Sequence, residues 1–192
     1  MKRILLLLAL TASLAAAQQP TYDFRSVSWG ASVAQVKSAE TAEKWDETDL
    51  RGRHIVGYKD VVGDLDCTLM YFFVADQLVR AQYVFDEKHV DHGAFVDDFH
   101  KIKNILIDKY GQPSADLTRW KNNLYHDHPD KWGQAVAAGH LNLGALWETT
   151  RSEIMLGLTG DNFEIKHMLV YRTKDLRHLE DDLDKAATDK KF

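Results

Sequence analysis

Histidine and aspartate crowd one short stretch of this chain, His126-Asp127-His128-Pro129-Asp130. In an extended backbone His126 and His128 project to the same side, as metal ligands at i and i+2 do, and Asp130 offers a carboxylate as third ligand. A metal held there would activate water for hydrolysis. The same residues also make an ordinary solvated turn, since Asp and Pro favour turns on backbone grounds alone. A second pair, His89 and His92 around Asp91, reads as a metal half-site or as the cap of a helix that starts just beyond it. His100 flanks that helix's apolar stripe, and His167 reads as a strand histidine with its polar atoms satisfied. The metal reading thus rests on His126, His128 and Asp130, against a leading account with no catalytic residue, no metal and no cofactor.

Other chemistry finds little footing. Cys67 is the only cysteine, so no disulfide forms within one chain. It sits in CTLMYFFV, apolar on both faces, and reads as a buried small side chain rather than a reactive thiol. There is no G-x-S-x-G, no G-x-G-x-x-G and no phosphate-binding loop. Asp97-Asp98 and Asp181-Asp182 are consecutive on expected helices, so their carboxylates point apart. Trp132, in a polar stretch before Gly133, offers an exposed anchor for a partner or a sugar, against the alternative of packing beneath its loop.

Residues 1–17 have the form of a signal peptide: Lys2 and Arg3, an apolar run over Ile4–Leu14, then Ala15-Ala16-Ala17. Cleavage is expected after Ala17, and the run is too short to serve as a comfortable bilayer span. The expected location is periplasmic or secreted, with no stable membrane anchor after cleavage. The chain of 192 residues carries a net charge of −5, and its basic residues are scattered, so no stripe suggests nucleic acid.

What positions these residues is read from periodicity. Phe95, Phe99, Ile102, Leu106 and Tyr110 make one helical stripe over Asp91–Pro113, closed by Gly111 and Pro113. Before it come a short strand over Phe24–Trp29, a helix over about 33–43 with the capping box Ser32/Gln35, a polar loop over 46–53, and strands over 54–61, 67–74 and 78–85. In the last of these Val79, Ala81, Tyr83 and Phe85 face one way. After it come strands over 117–125, 138–147, 153–159 and 163–171, a loop over 126–134, and a helix from Asp175 carrying Leu176, Leu179, Leu183 and Ala186. The expected fold is α+β: an antiparallel sheet with the long central helix and the C-terminal helix on one face. One domain spans 18–187, with halves 24–86 and 91–187 and a frayed tail over 188–192. A duplicated α-β-β-β unit and a single undivided sheet both fit this order.

Two motifs are familiar. One is F-R-x-x-x-W-G-x-S-x-x-x-V, at Phe24, Arg25, Trp29, Gly30, Ser32 and Val36. The other is L-x-x-x-Y-G-x-P, at Leu106, Tyr110, Gly111 and Pro113, followed by Trp147, Thr150, Ile154, Leu156, Leu158 and Tyr171. Together they resemble a diffuse set of uncharacterised secreted bacterial proteins. The W-G-helix opening is similar to small envelope modules of the outer-membrane-assembly lipoprotein and β-lactamase-inhibitor-protein type. The chain differs from the lipoprotein members in having no cysteine after its apolar run to carry a lipid. The resemblance implies a module that binds other proteins and catalyses nothing. The leading expectation is therefore a non-catalytic, soluble extracytoplasmic binding module for an envelope protein or small ligand, gripped by the sheet's open face or by loop 126–134. The alternatives are a metal-dependent hydrolase at residues 126–130 and a carrier with an apolar pocket between helix and sheet.

Overall fold

The computed structural model describes residues 22–189. The expected signal peptide and cleavage point lie outside the described residues. The elements run α1 (Val33–Ala39), β1 (Glu43–Leu50), β2 (Arg53–Val62), β3 (Leu65–Val74), β4 (Gln77–Phe85), α2 (Gly93–Tyr110), β5 (Ala115–Trp120), a 3-10 turn (Pro129–Lys131), α3 (Trp132–Ala137), β6 (Leu141–Glu148), β7 (Ser152–Asp161), β8 (Glu164–Thr173) and α4 (Arg177–Asp189). The strands form one eight-stranded antiparallel sheet in the order β1-β2-β3-β4-β8-β7-β6-β5. That order is palindromic. Each half has a helix followed by four antiparallel strands, the second half inserting the 3-10 turn and α3 between β5 and β6, and the fourth strands meet at the centre, Arg80 opposite Arg172 and Val84 opposite Met168. The α+β expectation holds. No helix among the described residues is long and apolar enough to cross a membrane.

The core lies on one side of the sheet. Alternate side chains of β2, β3, β4, β6, β7 and β8 point to it, where Val36 of α1, Phe99, Ile102 and Leu106 of α2, and Ala135 and Val136 of α3 meet them. Phe99, Ile102 and Leu106 are each at most 2% exposed. At roughly 1.5–3 kcal/mol per buried side chain, that stripe is what fixes α2 to the sheet. The helix's entry is set by Asp91, whose carboxylate accepts from Gly93 N–H at 2.9 Å. The α1 capping box forms as its spacing predicts: Ser32 Oγ accepts from Gln35 N–H at 3.2 Å, and Gln35 Oε1 from Ser32 N–H at 2.8 Å.

Several expectations are corrected. The Phe24–Trp29 segment is a tight turn, with a single bridge between Phe24 and Val27. Helix α1 ends at Ala39, and the expected polar loop over 46–53 is mostly the edge strand β1. Burial cannot reveal β1, because nearly all of it is exposed. The ladder to β2 holds it, together with Glu47, which pairs with Lys37 at 2.6 Å and His54 at 2.8 Å. Val79 faces away from Ala81, Tyr83 and Phe85 because the β3–β4 register shifts at Phe72/Phe73. Helix α4 does not share a face with α2. Leu176, Leu179 and Leu183 pack on Phe72, Val74 and Val79, which alternate with the core-facing residues of β3 and β4. It continues through Thr188, where the frayed tail was expected; residues 190–192 are outside the described chain.

Candidate functional site

The His/Asp stretch does not assemble. The chain turns after β5 instead of running extended: His126 N–H donates to Asn123 O and His128 N–H to Tyr125 O, each at 3.1 Å. His126 Nδ1 is taken by Asp127 at 2.8 Å, and its ring lies 5.1 Å from that of Trp120. Asp130 belongs to the 3-10 turn with Lys131 3.8 Å away. The same-side geometry expected of His126 and His128 needed an extended backbone, which is absent. Among the described residues no group of three or more His, Cys, Asp or Glu is placed to hold a metal ion. His89 Nε2 is engaged by Asp98 at 2.6 Å, while His92 faces Phe163, ring centroids 6.3 Å apart. Burial pushes the Cys67 thiol up to about 12, with Asp60 and Asp86 adding to it, so the thiolate is scarce at neutral pH.

Trp132 takes the packed alternative. Residues 132–137 form α3, and the indole turns inward against the core, edge-on to Trp120 at 5.8 Å. Its Nε1 is buried without an acceptor. His167 is also buried, stacked on Phe85 at 4.3 Å, and its Nε2 has no partner, so it is not the satisfied histidine expected. Burial pushes its pKa down to about 4, against the pull of Asp98.

The opposite face of the sheet carries a different pattern. Cross-strand pairing sets Gly57, Met70, Gln82, Val170, Met155, Leu146 and Ala115 in one row from β2 to β5. A second row beside it reads Thr68, Val84, Met168, Gly157, Gly144 and Leu117. Every methionine of the described chain is on this face. Met155 is 46% exposed and Leu117 48%. Spacing adjacent strands by about 4.8 Å makes the rows roughly 30 Å long, and together they cover on the order of 400 Å². Gly144 and Gly157 leave the floor low; a Cβ at Gly157 would meet nothing within 4 Å.

The margins are defined. At the β1 end Trp45, 56% exposed, leans over Gly57, and Lys59 Nζ sits 4.7 Å above its ring. Beside the rows, Leu146, Met155 and Val170 line a hollow of about 250 Å³ whose rim is Glu148, Glu153 and Arg172. Lys174 pairs with Glu148 at 2.8 Å and Arg177 with Glu153 at 3.0 Å. The hydrogen bond from Lys174 lowers the Glu148 pKa. At one corner α4 covers the face. Chemically the floor offers dispersion contact, flexible thioethers and an exposed indole, ringed by ion pairs.

Sequence reasoning named the open face but none of its residues. The signal was present: among the outward positions of β3, β7 and β8 are Met70, Val74, Met155, Met168 and Val170, where a fully solvated face would be charged. Comparison of the chain with protein families, with curated proteins and with solved structures gives no match.

Proposed function

We propose that the chain is a non-catalytic extracytoplasmic binding module that grips a protein partner on the open sheet face. The observation that carries this reading is the pair of largely apolar rows on the open side of the sheet, half-buried at Met70 and Met168 and exposed at Met155 and Leu117. The largest apolar patch on a folded domain is often a functional surface, and this one is the broadest on the open side of the sheet. Methionine suits such a surface because its unbranched thioether adapts to an opposing shape. Trp45 at the margin has the amphipathic bulk of an interface anchor. The leader-like residues 1–17 support an extracytoplasmic setting, and an exported protein beginning at Gln18 would establish it. We also read the palindromic strand order as a duplicated unit of one helix and four strands. Phe99, Ile102 and Leu106 fill the space between α2 and the sheet where a carrier would need a pocket.

The test is capture of partners from native envelope by the full chain and by two variants. Gly157→Lys raises a charge from the floor into open space, while the double change His126→Ala, His128→Ala alters only the turn. The reading expects one partner to be lost with Gly157→Lys and kept by the turn variant. A partner retained by Gly157→Lys overturns it. Stoichiometric zinc on the unaltered protein, lost from the turn variant, would favour the hydrolase instead.

A further inference from the structure

The open face has a third row that α4 partly hides. Ile55, Phe72, Arg80, Arg172, Glu153 and Glu148 follow one another across β2, β3, β4, β8, β7 and β6, parallel to the two exposed rows. Over it lie Leu176, in the turn just before α4, and Leu179 and Leu183 of α4, all three only half-buried, and the helix inserts Glu180. Glu180 is 4% exposed and is the one buried residue among the described side chains of that helix. Its Oε1 lies 3.2 Å from Arg53 Nε and 3.2 Å from Arg80 Nη2, and its Oε2 lies 3.4 Å from Arg172 Nε. Asp184 reaches Arg53 at 2.8 Å from an exposed position.

One buried carboxylate therefore faces three guanidinium groups. The fit is incomplete. Arg80 Nε, Arg172 Nε and Glu180 Oε2 are buried without a hydrogen bond. Arg80 is also held over the Phe72 ring at 3.9 Å, which fixes it to the sheet whether or not α4 is there. Burial lowers the Arg80 pKa; Glu180 opposes this, and Arg172 and Arg53 add to it. The remaining surface of α4, from Asp184 to Thr188, is exposed. An element held by a few half-buried apolar contacts opens at lower cost than the sheet beneath it.

Opening α4 alone would remove the carboxylate that holds Arg53, Arg80 and Arg172 together and leave Arg80 and Arg172 as like charges directly opposite each other on β4 and β8, which is unfavourable. The site therefore favours exchange of one carboxylate for another over simple release. The Met70–Met155 row lies directly beside this one, two residues along each strand, so a partner lying on the face reaches the arginines as it displaces the helix. We propose that α4 is a displaceable occupant of the binding face, and that Arg53, Arg80 and Arg172 form a carboxylate site that receives an acidic, leucine-bearing helix of the partner in place of Glu180. This rests on the reading of the open face as the binding surface. It adds the partner's chemistry, and a built-in competitor that sets the threshold for binding.

Two measurements test it. Hydrogen exchange on the unaltered full chain should show the amides of α4 at least a hundredfold less protected than those of β3; equal protection overturns the proposal. A labelled synthetic peptide of the chain's own residues 174–189 is then titrated against the full chain carrying Leu179→Ala and Leu183→Ala, which loosens the resident helix and leaves the arginines in place. Saturable binding is expected, at least tenfold tighter than to the unaltered protein, and weakened at least tenfold when the peptide carries Glu180→Gln. Equal affinity for the two peptides, or no binding to a folded variant, overturns it. The peptide result is independent of envelope capture. Failure here with capture still abolished by Gly157→Lys removes the exchange of α4 and leaves the binding face standing. Success here with capture unchanged by Gly157→Lys removes the binding face as proposed.

Discussion

The indole N–H of Trp29 donates to Ser152 Oγ at 2.9 Å, both side chains buried, across 123 residues of sequence. The bond joins the lead-in of the first half to the first residue of β7 in the second. Beside it Asp23 accepts from Trp29 N–H at 2.8 Å and from Arg151 at 2.8 Å. The seam between the halves therefore has a polar tie in addition to the β4–β8 ladder. Ser152→Ala leaves the indole N–H buried and unsatisfied, and should cost about 1–3 kcal/mol in urea unfolding. Adding Trp29→Phe removes the orphaned donor, so the double variant should lose less than the sum of the singles.

Two glycines of β7 should respond oppositely to the same methyl group. A Cβ on Gly160 would lie 2.1 Å from Val136 O, because β7 runs directly beneath the end of α3. A Cβ on Gly157 enters open space. Gly160→Ala should destabilise by about 1–3 kcal/mol or more through forced separation of strand and helix. Gly157→Ala should be neutral or stabilising by up to about 1 kcal/mol, since it only restricts the unfolded chain. Paired thermal unfolding curves check both, and the second also shows that the face tolerates substitution without loss of fold.

How much of this was legible follows from which side chains are buried. Phe99, Ile102 and Leu106 announce α2 because helical spacing and burial coincide. Strands β3, β4, β7 and β8 show themselves by inward apolar positions. Strand β1 does not, because its stability comes from the ladder to β2 and from the ion pairs of Glu47, neither of which has a hydrophobic period. Helix α3 is missed because six residues are too few for a stripe, and because Gly133 sits where a Cβ would come within 2.3 Å of His92 C, a contact only the tertiary fold reveals. The placement of α4 depends on the register shift at Phe72/Phe73, which turns Val79 outward and gives the leucines a second apolar surface. The open face was half visible: CTLMYFFV is apolar on both sides, but sequence cannot say whether the second side is covered.

Acid should weaken the fold through His167. Its ring lies between Phe85 and Phe99 with Nε2 unpartnered, and burial holds its pKa at about 4, below the ordinary 6.5. Between those values the unfolded chain binds a proton that the folded chain refuses. The stabilisation from keeping His167 neutral is therefore complete above pH 6.5 and is lost as pH falls toward 4. The shift bounds the effect at about 3 kcal/mol. His167→Phe, which keeps the stacking and removes the titration, should flatten the dependence of unfolding free energy on pH over that window. A variant as acid-sensitive as the unaltered protein would assign the effect elsewhere.

The turn between β7 and β8 should accept a stabilising change. Asn162 and Phe163 join the closing pair Asp161–Glu164 with φ of 47° and 65°, the left-handed region at both positions. A two-residue hairpin of this kind favours glycine at its second position, because a Cβ there crowds the carbonyl. Phe163 has little to lose in exchange, since it is 67% exposed. Its backbone N–H donates to Ala137 O at 2.9 Å, a bond glycine keeps. Phe163→Gly should therefore raise stability by about 0.5–1 kcal/mol, the relief of strain being partly offset by glycine's freer unfolded chain. For a domain of this size that corresponds to roughly 1–4 °C in Tm. Phe163→Pro removes the N–H and forces a negative φ, so it should destabilise clearly. A fall in Tm with glycine would mean that the exposed ring, beside His92, contributes more than the strain it imposes.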